Sequence, residues 1–200
     1  MTDDREPRVS ATLQIDDDVT AAVGRALAAA RADAGMSMRE LARRAEVSQP
    51  FLSQVERGRA IPSILTLYRI AEALGLSPRA LMPRTGDVRA GARIVRSAEG
   101  VRMAVSESPD AARARLLTAG GDHRLEVVEY DVAPGQDLGD AFRSAGEMTV
   151  YVLSGELIVD VEGEATATLS AGDAISHDAA LPHRWRAPRG ARVLLAVSHA

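Results

Sequence analysis

The chain has no cysteine, which excludes a disulfide framework and a thiolate metal site. It has no lysine either: all 24 of its basic residues are arginine. Together with abundant alanine this looks like the coding bias of a GC-rich genome, and no mechanism is read into it. Long hydrophobic runs are missing too. None approaches the ~20 residues a membrane helix needs, and Met1-Thr2-Asp3-Asp4-Arg5-Glu6 lacks the charged-then-apolar pattern of a secretory signal. A cytoplasmic protein is expected. No Ser/His/Asp or Cys/His arrangement and no glycine-rich phosphate loop is legible, so no catalytic residue is assigned and no enzyme is expected.

What is present is ample for folding. A length of 200 residues with 46% hydrophobic content allows one large domain or two small ones with buried cores. The net charge of −4 conceals its distribution. Residues 1–19 carry two arginines against six acids, residues 20–84 carry ten against five, and residues 85–200 carry 12 against 17. Only the middle segment, at +5, has the field that an anionic polymer would feel.

Residues 1–17 are polar and acidic without a sustained apolar period, and read as a flexible tail. From Val19 the period becomes helical, with Val23, Leu27 and Ala30 on the same face. Gly35 supplies a left-handed stop, and Ser37-Met38-Arg39-Glu40 is a capping box ahead of Leu41 and Ala42. Ser48 caps a third helix carrying Phe51, Leu52 and Val55, and Gly58 closes it. Ser63 caps a fourth with Ile64, Leu67, Ile70, Ala71 and Leu74 inward. Ser77-Pro78 opens a short fifth. Five helices in residues 18–82 make a compact helical domain.

Residues 83–92 read as a linker, and the period then changes to that of strands. Arg124–Val132, Met148–Leu153, Glu156–Val161, Glu164–Leu169 and Arg192–Val197 alternate between turns such as Ser154-Gly155 and Glu162-Gly163. Short strands at this spacing predict a β-sandwich or barrel over residues 93–200.

Within Ser37–Gly58, two short helices joined through Glu46-Val47 have the geometry of a helix-turn-helix, whose second helix enters the major groove of DNA. Its exposed positions, Gln49, Ser53, Gln54 and Arg57, carry hydrogen-bonding side chains; glutamine can bond adenine through two atoms. Arg39, Arg43, Arg44, Arg57 and Arg59 stand where phosphate contacts are expected. The string Gly35-x-Ser37-x-x-Glu40-Leu41-Ala42, Val47-Ser48-x-x-Phe51-Leu52-Ser53-x-Val55-Glu56-x-Gly58, Pro62-Ser63-x-x-Thr66-Leu67 resembles the lambda repressor and Cro-like regulators, the XRE family. The resemblance runs from Val19 to Met82. It implies base reading by Ser48, Gln49, Phe51, Ser53 and Gln54, and a structural role for Glu56. Pro50 stands where many members carry a polar reader.

Residues 93–200 resemble the cupin family through Ala133-Pro134-Gly135, Val150–Leu157, Leu169-x-Ala171-Gly172-Asp173 and Pro182-His183, which implies a jelly-roll β-barrel. Metal-binding cupins use a His-x-His pair, a Glu and a later His. Here those positions fall on Phe142 and Ser144 (or Ala141 and Arg143), Met148 and His183. One imidazole cannot hold a divalent ion, so no metal or other cofactor is expected, and His177 reads as a satisfied polar residue on a strand.

The whole reads as an α + β two-domain regulator: a dimer on a pseudo-palindromic operator in double-stranded DNA, with a metal-free cupin that senses a small organic effector. Arg143, Tyr151, His183 and Trp185 are the effector candidates, and the arginine fork favours an anion. The alternative leaves Arg143 on a surface loop and fills the barrel with Met148 and Phe142, so that the domain only dimerises. A one-residue shift in register decides between them. Two other readings remain: a metal-dependent cupin enzyme with an appended DNA-binding domain, and an antitoxin-like interaction protein.

Overall fold

The computed structural model describes residues 9–82, 94–118 and 124–198. The linker expected at 83–92 lies outside the described residues. Four α-helices come first: α1 (Val9–Asp33), α2 (Met38–Arg44), α3 (Gln49–Glu56) and α4 (Ile64–Leu74). The expected fifth helix is a single 3₁₀ turn, Pro78–Leu81. With Pro78 in its first turn and Pro83 just beyond Met82, the chain cannot extend it into an α-helix. Helix α1 also begins earlier than expected, at Val9, within the stretch read as a tail. No proline or glycine stands between Pro7 and Gly24, so nothing in the chain breaks the helix there.

The helical core contains Val23, Leu27, Leu41, Leu52, Val55, Leu67 and Ile70, all fully buried. Gly24 fixes how closely α1 approaches α3. A Cβ at that position would sit 2.3 Å from the Val55 carbonyl oxygen, so only glycine lets the backbones meet there.

Eight strands follow: β1 (Val101–Ala104), β2 (Arg113–Leu116), β3 (Leu125–Val132), β4 (Glu147–Val161), β5 (Ala167–Ser170), β6 (Ala174–Asp178), β7 (His183–Arg186) and β8 (Ala191–Ser198). Their order is β1-β2-β3-β8-β4-β5, with β6 and β7 also paired to β4, and all pairings are antiparallel. The order has two ends, at β1 and β5, so the sheet is open where a closed jelly-roll barrel was expected.

The reason lies in β4. Two strands with a turn at Ser154-Gly155 were expected; one 15-residue strand runs through both. Its register against β8 shifts between Val152 and Ser154, a bulge that bends the strand and swings its second half onto β5 and β7. Gly155, at φ +79°, has the Gly190 carbonyl oxygen 2.3 Å from where a Cβ would be. Sequence marks such a glycine as a turn; here it is a bend inside a strand.

Alternation along β4 buries Met148, Val150, Val152, Leu157, Val159 and Val161. With Val193, Leu195 and Val197 of β8 and Val128, Tyr130 and Val132 of β3 they form the second core.

Candidate functional site

Both helices of the reading motif are capped as their sequences dictate. Ser37 Oγ accepts from the Glu40 N–H at 3.1 Å and Ser48 Oγ from the Phe51 N–H at 3.2 Å. The turn between them places Glu46 at φ 55°, and the Val47 N–H closes it on the Ala42 carbonyl at 3.0 Å. The cap and this turn set where α3 begins, with Leu52 and Val55 buried beneath it. Ser48, Gln49, Gln54 and Arg57 are exposed on its outer side, whereas Phe51 and Ser53 are half-buried, the Phe51 ring packing against the core.

Arg39, Arg43, Arg44 and Arg59 are likewise exposed. Two of them are not free. Glu40 receives Arg43 at 2.8 Å and Arg44 at 2.7 Å. Hydrogen bonds from these two guanidinium groups, Arg43 first, hold its carboxyl at about 2. The Glu40 carboxylate is thus engaged by arginines on its own helix, where the capping box would have aimed it back at Ser37. Glu56 takes a two-pronged bond from Arg31, at 2.6 and 2.9 Å, which ties α1 to the end of α3.

The four effector candidates divide. His183 and Trp185 on β7 are buried in the sheet interior, 1% and 3% exposed. Tyr151 faces outward, 42% exposed. Arg143 also points away from the interior, its guanidinium 3.0 Å from Glu72 of α4. The residue that shares the interior with His183 is Phe142: the two exchange backbone hydrogen bonds at 2.9 and 3.0 Å, and their rings lie 4.1 Å apart. His177 of β6 stands 4.7 Å from His183 on another side. The expectation that His177 is satisfied holds for one nitrogen: Nδ1 lies 2.9 Å from the Asp178 carbonyl oxygen, and Nε2 is buried with no partner.

The metal usual to cupins does not fit these residues. Of its ligand positions, Phe142, Ser144 and Met148 offer no imidazole or carboxylate, and a second imidazole from His177 still leaves the set one short. Among the described residues no three of His, Cys, Asp or Glu converge.

The two domains are joined through α4. Glu107, in the loop after β1, accepts the Ser63 N–H at 3.0 Å and the Thr66 hydroxyl at 2.9 Å, so a carboxylate from the sheet half caps a helix of the helical half. The Leu65 N–H donates to the Val105 carbonyl at 3.2 Å. The Tyr68 hydroxyl donates to Glu126 of β3 at 3.0 Å, and the Tyr68 ring meets Phe142 edge-on at 6.2 Å. Burial, reinforced by Glu126, pushes the Tyr68 phenol well above its usual range. Beside these contacts lies a cleft of about 790 Å³ that reaches Tyr68, Glu72, Glu107, Phe142, Arg143 and Pro182. Neither Glu107 nor Tyr68 was singled out in the sequence, because their partners stand 41 to 58 positions away and no local pattern records such a pair.

Comparison with known proteins assigns both halves. A helix-turn-helix family model matches residues 27–81 and a cupin-domain model matches residues 128–197. The uncharacterised HTH-type transcriptional regulator y4dJ of Sinorhizobium fredii is 38% identical over 76 residues, which is 38% of this chain and 99% of that protein. The HTH-type transcriptional regulator PuuR of Escherichia coli is 24% identical over 172 residues, spanning 82% of this chain and 86% of the relative. Among solved structures, an HTH_3 family transcriptional regulator from Vibrio cholerae superposes with a TM-score of 0.63 at 23% identity, covering 92% of this chain and 99% of the other. This last likeness speaks for the shared fold.

Proposed function

The chain belongs to the helix-turn-helix family of transcriptional regulators, and from that premise we propose that it acts as a dimeric cytoplasmic repressor or activator whose cupin domain senses a small molecule. DNA binding is the function of the family. The observation that carries the reading on this chain is the outer side of α3: Gln49, Gln54 and Arg57 exposed on a helix fixed at both ends. Gln49 and Gln54, with Ser48, Ser53 and the half-buried Phe51, are the base readers of this proposal. Arg39, Arg43, Arg44, Arg57 and Arg59 hold phosphates.

Dimerisation is assigned to the outer face of the cupin sheet. Tyr151 and Leu153 are exposed on β4, and Tyr151 pairs across to Leu194 of β8, which is half-buried. Leu125, 48% exposed, stands on β3, the strand flanking β8. Paired readers on half-sites one turn apart, about 34 Å, require a second copy, and the exposed Tyr151 and Leu153 are the side chains suited to hold it. The cupin domain acts without catalysis in this reading. Its support is the regulator names of the relatives together with a ligand set that retains one of the metal-binding positions, His183.

Selection of bound sequences from a random DNA pool, with light scattering on the same protein, tests the reading. A pseudo-palindromic consensus and a dimeric mass are expected, the dimer lost in Leu153→Arg. Enrichment of no sequence, or a monomer with and without DNA, overturns it.

A further inference from the structure

The interior of the cupin domain holds an unusual group of unmet polar atoms. The Nε2 atoms of His177 and His183, the Nε1 of Trp185 and the hydroxyl of Ser144 are all buried without a hydrogen-bond partner. Buried polar atoms are normally satisfied, and each that is not costs stability unless something else meets it. His183 and Trp185 are neighbours on one face of β7, with rings 6.0 Å apart. Phe142 meets both edge-on, at 4.1 and 5.6 Å, and Tyr130 meets Trp185 edge-on at 5.4 Å. The unmet atoms of β6 and β7 therefore sit against aromatic walls.

The chemistry of the imidazoles can be read from their other nitrogens. His183 Nδ1 lies 2.8 Å from the Leu181 carbonyl oxygen and His177 Nδ1 lies 2.9 Å from that of Asp178. A carbonyl oxygen only accepts, so each Nδ1 carries the proton and donates. In the neutral ring each Nε2 is then a bare lone pair. Burial, with His177 nearby, lowers the His183 imidazole to about 4, so it is neutral at physiological pH. Trp185 contributes the opposite polarity, an indole N–H that can only donate.

We propose that His177, His183 and Trp185 form a binding site for a small uncharged molecule that presents an N–H or O–H donor beside an acceptor, as an amide does, and that refuses carboxylates. A carboxylate brings acceptors only, and its oxygens would face two lone pairs. Arg143, the cation expected to meet it, lies outside the interior, paired with Glu72. Phe142 is the door. It is half-buried, lines the cleft between the domains and covers His183 from that side. Its other neighbour is Tyr68 of α4, so an occupant that displaces Phe142 acts on the helix joining the two domains. This deepens the sensor reading and rests on it for the regulatory step alone.

The test uses the full chain, labelled with ¹⁵N, and matched probes: formamide, acetamide and benzamide against formate, acetate and benzoate. Amides are expected to shift the Nε2 resonances of His177 and His183 and the indole N–H of Trp185, while carboxylates at equal concentration leave them unmoved. Trp185→Phe and His177→Phe, each keeping a ring in place, should weaken the amide response about tenfold. Carboxylates acting as strongly as amides, or no amide acting at all, as when ordered water alone fills the site, overturns the site. So does stoichiometric metal bound through both Nε2 atoms. Operator affinity is measured with the same amides. Amide binding that leaves operator affinity unchanged keeps the site and removes the regulatory reading; silent resonances remove the site and leave DNA recognition intact.

Discussion

Tyr68 of α4 donates its hydroxyl to Glu126 of β3 at 3.0 Å, a bond between two side chains that are both buried and belong to different domains. It joins the DNA-reading unit to the cupin domain beside the Glu107 cap on the same helix. Because a buried carboxylate gives up a donor, Tyr68→Phe should destabilise the chain by about 1–2 kcal/mol. The ring and its contact with Phe142 are kept. The loss should be read by urea titration monitored separately in the helical and sheet regions. If α4 is the joint, the two transitions separate in the variant; a single unshifted transition would show that the bond contributes nothing.

Base reading and phosphate holding should respond differently to substitution. Gln49→Ala is expected to weaken operator binding by roughly 1–3 kcal/mol and to relax preference at one base pair. Arg43→Ala should weaken binding to operator and random DNA alike and flatten the dependence on salt. Competition assays over a salt series separate the two. Equal losses on specific and random DNA for Gln49→Ala would remove it from the readers.

In the proposed interface Glu40 sets how much of the arginine charge DNA can use. Its carboxylate occupies both Arg43 and Arg44, so a phosphate held by these two arginines, as proposed, would compete with it. Glu40→Gln removes that competitor and one negative charge from the DNA-facing side. Affinity for random DNA should therefore rise, with a steeper salt slope, while the ratio of operator to random binding changes little. The Ser37 cap is untouched, so helix content by circular dichroism should stay constant.

The helical half was legible because its signals are local. Serine caps at Ser37, Ser48 and Ser63 and the apolar period between them lie within a turn or two of what they specify. The limits appeared where a residue does two jobs. Glu40 reads as half of a capping box until Arg43 and Arg44 claim it. Ser154-Gly155 reads as a turn because glycine at positive φ looks alike in a turn and in a bulge, and only the partner strand β8 tells them apart. The candidate site depended on register, and register is set by pairing between strands far apart in sequence: Phe142 with His183, Glu147 with Asp178 and Ser198. That pairing turns Arg143 and Tyr151 outward and brings His177 to His183. It is the ground on which the ligand proposed above is a donor met by imidazole, where the sequence suggested an anion met by arginine.

The depressed His183 imidazole has a measurable consequence for stability. In the folded protein it titrates at about 4, against an ordinary value of 6.5. Above 6.5 neither state holds a proton at this site and stability is indifferent to it. As pH falls below 6.5 the unfolded chain takes up the proton and the folded chain does not, so folding loses stability; below about 4 both are protonated and the loss levels off. His183→Gln lacks this window. Urea midpoints of the sheet domain at pH 7.5, 5.5 and 4 should therefore fall more steeply in the wild-type chain than in the variant. The carboxylates, common to both proteins, cancel in the difference. His177, 4.7 Å away, is kept in both proteins. Parallel curves would mean that His183 titrates normally, and with it would go the picture of an imidazole held neutral to present a lone pair.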